Sequence, residues 1–246
     1  MLSVLPARAI DMTPDGIAAV RAVIDGDTLV LDTGETVRLV GIQAPKLPLD
    51  RPHFAKWPLA DEALAALTAL GKDQRVRLSY GGARRDRYNR LLAHLHRESD
   101  GKWLQGEMLA MGMARVYTFS DNRAVAVEML AIEQAARNAK RGIWADEFYA
   151  VRQVDGLDSM IDSFQLVEGK ILNSAKLRDY MFLNFGDDYR TDFTVAIAKR
   201  DWRNFTVEEI DPAQWRGQTV RVRGWLDKRN GPMIEVTHPE QIERLK

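Results

Sequence analysis

Val23-Ile24-Asp25-Gly26-Asp27-Thr28-Leu29-Val30-Leu31 constrains this chain more than any other stretch. Asp-Gly between apolar, β-branched runs is the strongest short hairpin signal, so the segment predicts a strand, a tight turn and a second strand. Asp27 and Thr28 then stand where the turn gives way to a strand, a rigid support for a functional side chain. Val37-Arg38-Leu39-Val40-Gly41-Ile42 predicts a further strand, ended by Ala44-Pro45 because proline brings no amide donor to a ladder. If these strands pair in order, Asp27, Arg38 and the turn over 43–46 meet at one end of a small barrel.

Strands are expected at 17–25, 27–32 and 36–42, after a lead-in over 1–16. A proline-bearing loop over 43–57 is either a substrate-facing Ω-loop or a plain connection. Ala63, Leu64, Leu67 and Leu70 repeat at helical spacing, so a helix is expected from Ala60 to Gly71. Strands are expected at 75–80 and 91–96, and helices at 104–111 and 124–140. A first domain over 17–147 and a linker over 148–163 lead to a second domain over 164–246. That second domain has five short strands, with a crossover between the third and fourth. This matches an OB-like β-barrel. The fold class is therefore α+β: an OB-type five-stranded barrel with three helices, then a second OB-like barrel.

Lys+Arg and Asp+Glu both number 35, so net charge favours no partner and only a local patch is informative. There is no cysteine, which excludes disulfides, thiolate catalysis and zinc-thiolate sites. No run approaches the ~18–20 apolar residues of a membrane span. The expectation is no membrane association, in a cytoplasmic protein or one from which a leader has been removed.

Val23 to Thr28, Arg38-Leu39-Val40-Gly41-Ile42, Asp86-Arg87-Tyr88-Asn89-Arg90 and Arg141-Gly142-Ile143-Trp144 occur in that order and at fitting spacings. In combination they are similar to the staphylococcal nuclease (thermonuclease) family over about residues 18–147. The resemblance implies an OB-type barrel and calcium-dependent hydrolysis of phosphodiester bonds in DNA and RNA. It places Asp27 on a calcium-ligating aspartate and Arg38 and Arg90 on two phosphate-clamping arginines. Tyr88 falls near the substrate, beside Arg87, and Tyr117 near a nucleotide-stacking tyrosine. A hard cation wants oxygen ligands, and guanidinium groups match phosphate in charge and planarity.

Two positions depart from the family pattern. Gln43 stands where a second metal aspartate is expected, and Lys46 where a glutamate is expected. Both changes weaken a calcium site, and an ammonium that is charged at neutral pH is no general base. Lys46 can instead stabilise phosphate charge directly, as cationic clamps do. The leading expectation is thus a nucleic-acid-binding member of the family with a degenerate calcium site. The rivals are a metal-dependent endonuclease with rearranged ligands, drawing on Asp25, Asp50 or Glu62, and a protein-interaction scaffold.

Bland readings stand beside these. Asp27 also suits a turn cap, and the arginines also suit surface ion pairs. His94 and His96 share a strand face without an apparent third zinc ligand. Tyr117 and Phe119 also suit core packing at a helix exit. In the second domain, Tyr180, Phe182, Trp225 and nearby arginines are equally the equipment of an OB binding face or the core of a plain barrel.

Overall fold

The computed structural model describes residues 12–245. The chain divides into two compact units, the first running to Tyr149 and the second starting at Ala150. In the first unit come β1 (Thr13–Asp25), β2 (Thr28–Leu31), β3 (Thr36–Leu39) and β4 (Gly41–Gln43). After α1 (Ala60–Gly71) follow β5 (Arg75–Tyr80), β6 (Leu91–Arg97), α2 (Leu104–Ala110), β7 (Arg115–Tyr117) and α3 (Ala126–Asn138).

Strands β1-β2-β3-β6-β5 close into a barrel. β1 is long enough to pair with both β2 and β5, and β3 runs parallel to β6. Inward-facing Leu29, Leu31, Val37, Leu39, Val76 and Leu95 fill it, and Ala63 and Leu67 of α1 join the same core. The expected strand over 36–42 is broken in two. Gly41 takes a positive φ of 85°, and the chain leaves the barrel to pair β4 with β7. Tyr117 therefore sits on a short strand opposite Gly41 rather than at a helix exit.

The hairpin at the start is present, with Asp25 opposite Thr28. The glycine of that turn is required for space rather than for a left-handed backbone. Gly26 is not among the positive-φ residues. A Cβ there would instead lie 2.6 Å from the Ala44 Cβ and 2.7 Å from the Ala63 Cβ. Glycine is required because the start of the 43–57 loop and the α1 helix both press against the turn.

The second unit contains β8 (Arg152–Gln153), β9 (Ser163–Lys170), β10 (Asn173–Lys176), β11 (Tyr180–Asn184) and β12 (Thr194–Ala198). Then come α4 (Trp202–Thr206), β13 (Thr219–Arg229), β14 (Gly231–Glu235) and β15 (Ile242–Arg244). The order is β10-β11-β12-β14-β13-β9-β8, with β15 on β13. β12 and β14 are parallel. β9 and β10 are one bent strand: the Ile171 amide donates to Gln218 on one side and the Leu172 amide to Asn184 on the other. Both units thus share one connectivity. A long first strand pairs with the second and fourth, and the third runs parallel to the fifth. A helix lies between the third and fourth. This is the OB arrangement expected from the strand spacing. The two-residue β8 and the terminal β15 add to this arrangement, and strands that short carry no readable alternation in sequence.

Gly26→Ala is expected to cost about 1–3 kcal/mol, as overpacking does in a tight site. A fall in the urea midpoint at unchanged slope would register it; an unchanged midpoint would show that α1 can move away from the turn.

Candidate functional site

The β1–β2 turn buries its aspartates. Asp27 is wholly buried and Asp25 nearly so. The Asp27 amide donates to Asp25 Oδ1 at 3.0 Å, locking the turn. The Asp27 carboxylate accepts from Thr28 Oγ1 at 3.1 Å and from the Ala44 amide at 2.7 Å. Lys46 Nζ lies 2.6 Å from each Asp27 oxygen and 3.4 Å from Asp25 Oδ2. Arg38 Nη1 lies 3.2 Å from Asp27 Oδ1.

This geometry sets the charge states. Burial works to raise the Asp27 pKa, but the charges of Arg38 and Lys46 and the hydrogen bonds from Lys46 and Ala44 hold it well below the usual carboxylate range. Asp25 moves the other way, pushed up by burial and by the Asp27 charge against the pull of Lys46. Two carboxylates, one ammonium and one guanidinium make a self-neutralising cluster.

The other expected site residues fall around this cluster. Arg38 is mostly buried, and its guanidinium donates to the backbone carbonyls of Asp27, Leu39 and Ile42 at 3.3, 2.8 and 2.6 Å. Gln43 turns its amide oxygen to Arg115, which donates from Nε and Nη2 at 2.9 and 2.7 Å. Asp50 and Glu62 are exposed. The loop that follows is an Ω-loop: the Trp57 amide closes it onto the Lys46 carbonyl at 3.0 Å, and Arg51 stacks 3.7 Å from the Phe54 ring centroid.

Asp86 organises the arginine-rich turn. It accepts from the amides of Tyr88 and Arg90 at 2.9 and 3.0 Å, and from Arg90 Nε at 2.7 Å. Burial works to raise its pKa, but these bonds pull the carboxyl below its ordinary value. Asn89 takes a left-handed φ of 63°, which asparagine tolerates. Tyr88 is 65% exposed, with the Arg87 and Arg90 guanidinium carbons 4.9 and 5.4 Å from its ring. Two neighbours in the arginine run are paired elsewhere, Arg84 with Asp15 and Arg85 with Glu35. Tyr117 packs edge-on against the exposed Phe119 at 5.0 Å.

Sequence reasoning missed Arg115 and Glu133. Glu133 is wholly buried within α3, where it accepts from the Val116 amide and from Arg137, and so fixes β7. An acid at a stripe position of a helix was the available signal. His94 and His96 do share a face, both against Trp103. Burial pushes His94 down to about 3, so it is a neutral packing residue. Among the described residues, no group of three or more His, Asp or Glu is placed to hold a metal, and no helix is long and apolar enough to cross a membrane.

The profile of the staphylococcal nuclease homologue family matches residues 36–146. The thermonuclease of Staphylococcus hyicus is 30% identical over 128 residues, covering 50% of this chain and 73% of that protein. This chain belongs to the staphylococcal nuclease family. Two Bacillus subtilis (strain 168) members of similar sequence are Endonuclease YncB and the SPbeta prophage-derived endonuclease YokF. YncB is 32% identical over 135 residues, 53% of this chain and 62% of its own length. YokF is 32% identical over 131 residues, 51% of this chain and 43% of its own length. The chain thus matches less than two thirds of either Bacillus protein. The family profile lies wholly within the first unit.

Lys46→Met leaves two buried carboxylates without their ammonium, and is expected to cost about 3–5 kcal/mol at neutral pH. The pH dependence follows from the signs. In the unaltered protein the depressed Asp27 contributes stability above its unfolded value of ~3.9 that is lost as pH falls further. Without Lys46, the two carboxylates repel and their folded pKa values rise, so protonation relieves the variant. The gap between variant and parent in urea unfolding should therefore be wider at pH 7 than at pH 4. A gap that is constant with pH would separate Lys46 from the aspartates.

Proposed function

We propose that this chain binds DNA or RNA strands along the phosphodiester backbone through its nuclease-family barrel, with the family's calcium position taken by Lys46. The carrying observation is the Lys46 ammonium, 2.6 Å from both Asp27 oxygens and 3.4 Å from Asp25. A hard divalent cation needs several oxygen ligands. Here both Asp27 oxygens are held by Lys46, and the Gln43 oxygen accepts two bonds from Arg115. A divalent cation about 4 Å from an ammonium is repelled by roughly 8 kcal/mol at an effective dielectric near 20. The donor set does not suit a resident calcium ion.

Binding draws on a different part of the site. Tyr88 offers an exposed ring for stacking, and Arg87 and Arg90 flank it with charge suited to phosphate. Tyr117 and Phe119 offer a second aromatic edge. Lys46 lends positive charge where the family's metal would otherwise polarise a phosphate oxygen.

One observation favours a second reading, cleavage with rearranged ligands. Asp25 stands beside Asp27, so displacement of Lys46 would leave two adjacent carboxylates for a cation.

The test is cleavage and binding of labelled single-stranded DNA and RNA, with calcium titrated from none to millimolar. We expect binding that weakens on Arg90→Ala and falls steeply with added salt, and no cleavage stimulated by calcium. Gln43→Asp combined with Lys46→Glu should gain calcium-dependent cleavage. Cleavage by the unaltered chain that rises with calcium would instead establish the second reading, and absence of binding would leave the scaffold.

A further inference from the structure

The second unit lies outside the matched family region, and its barrel carries a surface that the nuclease reading does not use. Along β11, Met181 and Leu183 point into the core, while Tyr180, Phe182 and Asn184 stand half-exposed on the outer face. The Tyr180 and Phe182 rings are nearly parallel, 19° apart with centroids 5.6 Å from each other. Their cross-strand neighbours within β10 and β12 are small. Phe182 is opposite Ala175 on β10 and Ala196 on β12, and Tyr180 is opposite Ala198. On the β10 side the exposed Leu177 stands opposite Tyr180, its amide donating to the Tyr180 carbonyl at 2.8 Å, and adds an apolar edge to the rings.

Charge completes the surface. The Arg229 guanidinium, from the exposed β13–β14 turn, lies 5.2 Å from the Tyr180 ring centroid. Arg178 is exposed in the β10–β11 turn that leads into Tyr180. The carboxylate in the Phe182 row, Glu235, pairs with Arg200 and so is neutralised. In OB barrels the second and third strands, with the turns after the first and fourth, form the oligonucleotide face. Those parts here are β11, β12 and the turns carrying Arg178 and Arg229.

We infer that the β11–β12 face of the second unit is a binding site for single-stranded nucleic acid, with two successive bases stacked on Tyr180 and Phe182 and the backbone held by Arg229 and Arg178. A single strand fits because its bases are free to stack on a protein ring, whereas a duplex keeps them paired inside. Aromatic stacking is tolerant of base identity, so little sequence preference is expected.

The experiment uses the full chain and a fluorescein-labelled oligothymidylate, with a labelled duplex of equal length, read by anisotropy at fixed salt. Arg90→Ala serves as the background, because it weakens the proposed site of the first unit. In that background Tyr180→Ala and Phe182→Ala should each weaken single-strand binding roughly tenfold or more, and leave duplex binding unchanged. Phe182→Tyr should retain affinity. Arg229→Glu alters only an exposed side chain, so it tests the face even if a ring variant fails to fold; it too should weaken single-strand binding at least tenfold. Single-strand affinity unmoved by Arg229→Glu would overturn the inference. So would loss of all single-strand binding on Arg90→Ala alone, which would place the whole interaction in the first unit and leave the nuclease-barrel reading standing.

Discussion

A carboxylate removed from water must be neutralised or hydrogen-bonded, and Asp27 is removed from water entirely. Its two oxygens receive the Lys46 ammonium, the Arg38 guanidinium, the Thr28 hydroxyl and the Ala44 amide. Those partners come from the β1–β2 turn, β3 and the start of the Ω-loop, so one anion gathers three segments. Arg38 extends the network to the carbonyls that lead into β4. The end of the first barrel is therefore organised by charge as much as by its apolar filling. The tethered ammonium of Lys46 meets Asp27, 2.6 Å from each oxygen.

Two barrels of the same connectivity present different chemistry at comparable strands. In the first, the β2–β3 region carries buried ionic groups, and Tyr88, Tyr117 and Phe119 lie on turns and on β7. In the second, the β11–β12 region carries stacked rings among alanines, capped by an arginine. The scaffold fixes which strands lie side by side, with the third parallel to the fifth in both units. What the outer face of those strands presents is decided by a few side chains that the core does not need.

The arginine run over 84–90 takes its partners from distant segments as well as from its own turn. Four arginines in seven residues suit surface ion pairs as well as a phosphate site. Folding gives Arg84 to Asp15, Arg85 to Glu35 and Arg90 to Asp86. The turn becomes a shaped support for Tyr88, with Asp86 holding the backbone that presents the ring between Arg87 and Arg90.

The hairpin, the helix from Ala60 to Gly71, the two-barrel order and the residues similar to the nuclease family were all legible in the chain. Each is a local pattern, written in alternation, turn residues or motif spacing. Only the tertiary structure decided how the site residues are used. Lys46 reaches Asp27 across 19 positions, and Arg115 takes the Gln43 oxygen across 72. Such pairings depend on strand register and on how the Ω-loop closes, which no window of sequence contains. The sequence therefore determined which charges this end of the barrel holds; packing decided that they neutralise one another, because a buried charge must be paired.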